Sequence, residues 1–336
     1  MILVTGSTGL VGSHLLYKLI SNGETVRAIY RTERKLNNVK NVFSCYTDDY
    51  DSLFNAIEWV QADILDIPSL TDAFKDVSYV YHCAAFVSFE PDKYHLLRRT
   101  NIEGTSNIVN LCISNTIKKL CYVSSIATLG NPDNNGFLSE ESEWNPEASN
   151  SVYGITKYGA EMEVWRASQE GLDVVVVNPG VILGAGIWRY GSGSLFKKVY
   201  HGLKYYSSGS IGLVDVQDVI SIMIALTKSN IVNERFILVA ETWTYKDFLQ
   251  AVAKSVNVKA PEKLASEKLL QIAWRLDWLK HKLLKKRRRL TKHLAATLST
   301  ERKFNSAKIK TQLYVNFKPV EASITEIGTL FLKQVQ

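Results

Sequence analysis

The sequence predicts an α/β protein, a doubly wound parallel sheet carrying a smaller, mainly helical C-terminal domain. Three observations predict it. Through the first 180 residues, short β-branched runs alternate with helical spacing, the pattern of strand–helix–strand units that pair in parallel. A glycine-spaced turn joins the first strand to the first helix. Beyond Pro179-Gly180 the chain becomes rich in glycine and aromatic residues, and from Tyr245 helical patterns dominate.

Taken in order, residues 1–4 form a short apolar strand. Leu15, Leu16, Leu19 and Ile20 recur at helical spacing, and Asn22-Gly23 ends that helix. Residues 24–30 alternate Val26, Ala28 and Tyr30 as a second strand; 59–63 reads as a third, followed by a helix over 68–74. Residues 79–83 and 120–124 are further strands, separated by a helix that starts near Tyr94. A helix over 152–168 stops at Gly171 and leads into the β-branched strand 172–177. Gly184, Gly186, Gly191 and Gly193 then interrupt a stretch holding Trp188, Arg189, Tyr190, Tyr205 and Tyr206, which reads as a mobile loop with adhesive aromatic surface. Residues 214–226 and 235–239 read as a return to the sheet domain. The expected division is therefore 1–180 with 212–240 for the sheet domain, and 181–211 with 241–336 for a substrate domain and lid. The second unit sits over the carboxyl edge of the sheet, where α/β proteins bind ligands.

The 336 residues hold 40 Lys+Arg against 33 Asp+Glu, a formal net charge of +7. Eight of those cations (Lys280, Lys282, Lys285, Lys286, Arg287, Arg288, Arg289 and Lys292) lie together with no acid among them. Without them the balance is 32 against 33, so the body is near neutral and a general nucleic-acid surface is excluded. The run over 280–292 reads as a solvated helix face, a contact with an anionic membrane surface, or an attractor of an acidic substrate or partner. Leu283, Leu284 and Leu290 would lay a narrow apolar stripe along it. No apolar run approaches the roughly 20 residues of a membrane-spanning helix, and Met-Ile-Leu-Val-Thr-Gly opens the chain without a basic leader. Cys45, Cys83, Cys112 and Cys121 show no CxxC and no metal-ligand spacing. Reduced thiols, a cytoplasmic setting and no metal are the expectation.

Thr5-Gly6-Ser7-Thr8-Gly9-Leu10-Val11-Gly12 spaces its glycines GxxGxxG between strand and helix. One glycine permits the tight turn, another lets backbone approach a pyrophosphate, and the helix N-terminus stabilises its charge. This is the loop of a Rossmann-type dinucleotide site. The second strand ends Ile29-Tyr30-Arg31 with no acid to take ribose hydroxyls. An arginine there suits a 2′-phosphate, so NADP is preferred, with NAD as the alternative. Asp63-Ile64 ends a later strand, where the carboxylate either accepts from an adenine amino group or caps a helix.

Tyr153 and Lys157 stand four residues apart on one helix, hence one turn apart on one face. A nearby ammonium favours the phenolate and makes a tyrosine usable as an acid–base. Cys121-Tyr122-Val123-Ser124-Ser125 ends a strand at the same sheet edge and offers a hydroxyl for a substrate carbonyl.

These motifs, in this order, resemble the extended short-chain dehydrogenase/reductases, the NAD-dependent epimerase/dehydratase superfamily. The likeness covers most of the chain, including His82-Cys83-Ala84-Ala85, Asn101 in Thr-Asn-Ile-Glu-Gly-Thr, Pro179-Gly180 and Val214-Asp215-Val216-Gln217-Asp218. It implies that Tyr153 is the acid–base, that Lys157 binds the nicotinamide ribose and tunes Tyr153, and that Ser125, with Ser124 as alternative, positions the substrate oxygen. It also places Ala84, Pro179, Val181 and Ile182 beside the cofactor. Asn178-Pro179-Gly180-Val181-Ile182-Leu183-Gly184 and Arg31 look more like the dihydroflavonol 4-reductase branch, with cinnamoyl-CoA reductase and 3β-hydroxysteroid dehydrogenase-like enzymes, than like sugar-nucleotide enzymes. The implied activity is hydride transfer between NADP(H) and a carbonyl or alcohol of a small hydrophobic or aromatic molecule. The alternatives are a nucleotide-sugar epimerase or dehydratase with tightly bound NAD, and a non-catalytic dinucleotide-binding scaffold. Ser88, Ser125, Trp188 and Tyr190 are the candidate substrate contacts. His82, Asn101, Asp215 and Asp218 read first as structural. The helices around 94–112 and 152–168 pair two subunits in many relatives, which implies a homodimer.

Overall fold

The computed structural model describes residues 1–285, 287, 288 and 290–335; Lys286 and Arg289 of the basic run lie outside the described residues. Its main sheet has seven strands: β1 (Ile2–Thr5), β2 (Val26–Tyr30), β3 (Glu58–Gln61), β4 (Tyr79–His82), β5 (Lys119–Val123), β6 (Val174–Pro179) and β7 (Glu234–Leu238). They stand in the order β7-β6-β5-β4-β1-β2-β3, every neighbouring pair parallel. The order reverses between β1 and β4, which opens a crevice at the carboxyl ends of the strands.

Strand alternation builds two cores. On β6, Val175 and Val177 face one core while Val174 and Val176 face the other, and all four are fully buried. Successive residues of a strand point to opposite faces, so a sheet buried on both sides has to be apolar throughout. Helices Leu10–Ser21 and Val216–Lys228 cover the first face with Leu15, Leu16, Leu19, Val219 and Ile220. Helices Gly104–Ser114 and Val152–Gln169 cover the second with Ile108, Val109, Ala160 and Val164.

A third core belongs to a smaller unit. There Ser210–Asp215 pairs in parallel with Val181–Leu183 and antiparallel with Glu241–Thr244. Leu183, Phe196, Leu213, Phe248, Val252, Ile324 and Phe331 fill the space behind these strands.

The structure corrects several element readings. The stretch expected as a mobile loop carries the strand Val181–Leu183 and the helix Gly193–Tyr200, because pairing with Ser210–Asp215 and burial of Phe196 and Val199 hold it. Residues 210–215 join this second sheet rather than returning to the first; the helix that follows and β7 do return. The helix near Tyr94 is broken by a π-helical turn at Arg99–Glu103. The third strand ends at Gln61, short of Asp63. Ala307–Leu313, within the stretch assigned to the second domain, lies against the main sheet and puts Ile309 in the first core. Finally, the helix Glu267–Leu284 stops at Lys285, whose φ of 50° is left-handed, so Leu290 does not continue a stripe from Leu283 and Leu284. Leu290 instead packs beside Ala265, Leu270 and Ala295.

Candidate functional site

The glycine loop fits a dinucleotide pyrophosphate. Gly6 has φ +64°, and a Cβ there would stand 2.5 Å from the Ala84 nitrogen and 2.6 Å from the Cys83 carbonyl carbon. The turn closes with the Gly9 N–H donating to the Gly6 carbonyl (2.9 Å). Ser7 Oγ donates to the Ile29 carbonyl (2.6 Å) and ties the loop to β2, while Ser13 Oγ donates back to the Ser7 carbonyl (3.0 Å). Gly9 caps the helix Leu10–Ser21 with no side chain on its amide groups and no acid in its first turn, so the positive end is free for an anion. Thr8 is held by its carbonyl, which accepts from Asn38 Nδ2 (3.3 Å), and Leu10 and Val11 pack partly into the first core.

At the end of β2, Arg31 is exposed and reaches Asp63 across a 3.7 Å ion pair. Asp63 Oδ1 also accepts from the Leu65 N–H (3.0 Å), closing the turn after β3. Ile64 is buried, and its carbonyl accepts from Asn107 Nδ2 (2.9 Å). On the far side of the glycine loop, Val181 and Ile182 are partly buried just past the carboxyl end of β6, where Pro179 terminates the strand. The Ala84 N–H donates to Thr5 Oγ1 (3.3 Å) beside Gly6.

Tyr153 is the second residue of the helix Val152–Gln169, whose start is fixed by Ser151 Oγ accepting from the Gly154 N–H (2.8 Å). Burial pushes its phenol up to about 12, and a hydrogen bond with Ser125 draws it partly back. Lys157, one turn on, is fully buried. Its Nζ donates to Tyr122 Oη and to the Val123 carbonyl (2.8 Å). Burial pushes this ammonium down to about 7, against the pull of Glu161 and Cys83. Ser125, Tyr153 and Lys157 thus converge at the carboxyl end of β5.

The two serines divide their work. Ser124 Oγ donates to Glu161 Oε2 (2.6 Å), and this leaves Ser125 as the hydroxyl on Tyr153. Glu161 was not singled out from sequence, yet it is fully buried and accepts also from Thr128 (3.0 Å), Asn178 (3.0 Å) and Arg235 (3.3 Å). A buried carboxylate is tolerable because it is paired and hydrogen-bonded on this scale. Phe89 was also missed; its ring lies 5.6 Å from that of Tyr153, edge to face, and is part exposed.

Other candidates sit elsewhere. Trp188 packs in the smaller core against Phe331 and donates Nε1–H to Gln334 (2.6 Å). Tyr190 accepts from Asn38 (2.8 Å), the residue that also holds Thr8, which puts it at the glycine loop. Ser88 is buried, its Oγ accepting from the Glu90 N–H (3.3 Å). His82 is buried between Thr5 (2.6 Å) and Thr105 (2.9 Å), and burial with Lys157 nearby pushes it down to about 3. Asn101 bridges the Phe86 backbone (2.8 and 3.1 Å) and Thr156 (3.1 Å), which joins the loop after β4 to the Tyr153 helix. Asp215 caps the helix Val216–Lys228 through the Gln217 N–H (2.7 Å), and Asp218 accepts from the Lys318 N–H (2.9 Å).

The lowered Lys157 has a measurable consequence. Below about pH 7 the lysine is charged in folded and unfolded chains alike, so its burial penalty is fully present. Above that pH the unfolded chain alone keeps the proton, up to about pH 10, so the penalty fades as pH rises. Lys157→Met removes the group. Its stability relative to wild type, read from urea midpoints, should therefore fall as pH rises through this window, by up to about 1.4 kcal/mol per unit. A difference that stays flat with pH would contradict the assignment.

A model of the NAD dependent epimerase/dehydratase family matches residues 2–238. The chain is similar to sterol demethylase protein B of Methylococcus capsulatus, 27% identical over 316 residues, with 93% of this chain and 92% of that one covered. It is 25% identical over 268 residues to cinnamoyl-CoA reductase 1 of Petunia hybrida, covering 76% and 77% of the two chains. Among solved structures, gox2253 superposes with a TM-score of 0.81 at 23% identity, over 99% of this chain and 98% of that one, a likeness of fold.

Proposed function

The chain belongs to the NAD dependent epimerase/dehydratase family, as an NAD(P)-dependent enzyme of the extended short-chain dehydrogenase/reductase type, and from that premise we propose that it reduces a carbonyl on a small hydrophobic molecule at the expense of NADPH. The observation that carries this reading is the setting of Tyr153: half-buried, its phenol pushed up by burial, with Ser125 beside it and the Phe89 ring edge to face against it. A tyrosine so loaded is an acid in waiting, which is what carbonyl reduction asks of it.

When bound, NADPH supplies the hydride. Gly6, Gly9, Gly12 and the helix that follows would hold its pyrophosphate, with Val181 and Ile182 towards the nicotinamide. Ser125 orients the substrate oxygen, and Tyr153 Oη gives that oxygen its proton. The Lys157 charge, kept within one helical turn by Tyr122 and the Val123 carbonyl, stabilises the phenolate left behind. Phe89 offers an apolar flank to the carbonyl's substituents. The names of the two curated relatives, a reductase of cinnamoyl-CoA and a sterol-demethylase protein, point to ring-bearing apolar substrates.

Arg31 supports the phosphorylated cofactor. Its ion pair with Asp63 is long and solvent-exposed, so it contributes little to stability and leaves the guanidinium available. Arg31→Ala should raise the KM for NADPH about 10–100-fold, the worth of a charged bidentate contact, while NADH kinetics move less than about threefold. The test is a panel of aromatic and alicyclic aldehydes and ketones with each cofactor, run beside UDP-sugars. Purified protein that carries tightly bound NAD and interconverts a UDP-sugar without added cofactor would overturn the reading in favour of an epimerase.

A further inference from the structure

The helix Glu267–Leu284 has two apolar faces. The inner one puts Leu270 and Trp274 against Ala265, Ala295, Leu290 and Leu298. The outer one is Leu269, Ile272, Leu276, Leu279 and Leu283, each between 41% and 69% exposed. At about 100° per residue these five fall within an arc of about 80°, a continuous stripe along most of the helix. Scattered exposed apolar side chains are ordinary, but an aligned row of five is not.

Cations border the stripe. Lys268, Arg275 and Lys282, seven residues apart, run along one side, Lys280 stands on the other, and Lys285 and Arg287 follow at the C-terminal end, all exposed. We propose that this helix, with the basic turn after it, docks the protein on an anionic lipid bilayer. The helix lies in the interface plane, its leucines reaching the acyl boundary and its cations reaching up to headgroup phosphates. Among the described residues no helix is long and apolar enough to cross a membrane, so the contact is a surface one. A second copy of the chain is a poorer occupant, because pairing the same patch about a two-fold axis sets like-charged rows against each other.

The docking helix is tied to the catalytic site. Arg287 pairs with Glu90 (2.9 Å) and His281 with Asp92 (3.1 Å), on the loop whose Phe89 lies against Tyr153. Docking therefore holds the loop beside the reacting groups at the bilayer surface.

Vesicle flotation tests this without reference to turnover. Wild-type protein should float with phosphatidylcholine vesicles containing about 30 mol% phosphatidylglycerol at about 0.1 M salt, and stay behind with phosphatidylcholine alone. Two double variants, Leu276→Glu with Leu279→Glu and Arg275→Glu with Lys282→Glu, should each lower the bound fraction at least about tenfold, with melting temperatures within a few degrees of wild type. Equal binding to both vesicle types, undiminished binding of either variant, or no flotation would overturn the proposal. A wild-type dimer that the leucine variant dissociates, with no flotation, would assign the stripe to self-association instead.

Discussion

Tyr153→Phe should lower kcat by about 10³-fold or more while the dinucleotide Kd stays within about threefold. The substitution removes one oxygen and keeps the ring, so the edge-to-face contact with Phe89 survives. The loss falls on proton delivery. Ser125 is too weak an acid to replace a phenol, and Lys157 is directed at Tyr122 and the Val123 carbonyl rather than at the substrate side. Steady-state rates with any turned-over carbonyl, beside cofactor titration by fluorescence quenching, would check it. Turnover within tenfold of wild type would remove Tyr153 from the acid's role.

Gly6→Ala should reduce dinucleotide affinity at least about 100-fold. Two effects add: a left-handed φ costs an L-residue roughly 1–2 kcal/mol, and the new Cβ would press on the backbone at Cys83 and Ala84, which has no rotamer with which to yield. The loop has to move off the end of β4, and with it the amide groups that would face a pyrophosphate. Gly23→Ala is the matched control. It also has positive φ (+77°) but nothing within 4 Å of the added Cβ, so it should cost only the conformational strain and leave affinity intact. Calorimetric titration and melting of both variants distinguish loop collapse from general destabilisation.

Much of this was legible in sequence because it is local or periodic. The glycine loop is eight consecutive residues; Tyr153 and Lys157 share one helical turn; the valines of β6 declare a strand buried on both faces. What stayed hidden depends on distant partners. Glu161 lies on a helix whose inward side includes Thr156, Lys157 and Ala160 rather than a clean apolar stripe. Its partners Ser124, Thr128 and Arg235 lie 37, 33 and 74 residues away. No local spacing announces such a cluster, and without it the preference for Ser125 over Ser124 rests on resemblance alone. Trp188 and Tyr190 are legible as aromatics but not as to destination: one fills the smaller core and the other is held through Asn38 to the glycine loop. The docking helix is legible in sequence only at its C-terminal end, as a run of charge with Leu283, Leu284 and Leu290 beside it, because its stripe begins eleven residues before Lys280, at Leu269.

The return of Ala307–Leu313 to the main sheet bears on how the chain is made. Ile309 is fully buried in the first core, with Leu313, Val315 and Phe317 packed against it, and Lys308 pairs with Glu234 on β7. During synthesis the first 240 residues emerge with every strand of the sheet present, yet β7 at its border lacks this cover. An uncovered border strand is a template for wrong pairing. The nascent chain is thus exposed to mispairing on the ribosome until residues 307–317 have been translated, and truncation before Ala307 should cost solubility before it costs any group assigned to the cofactor.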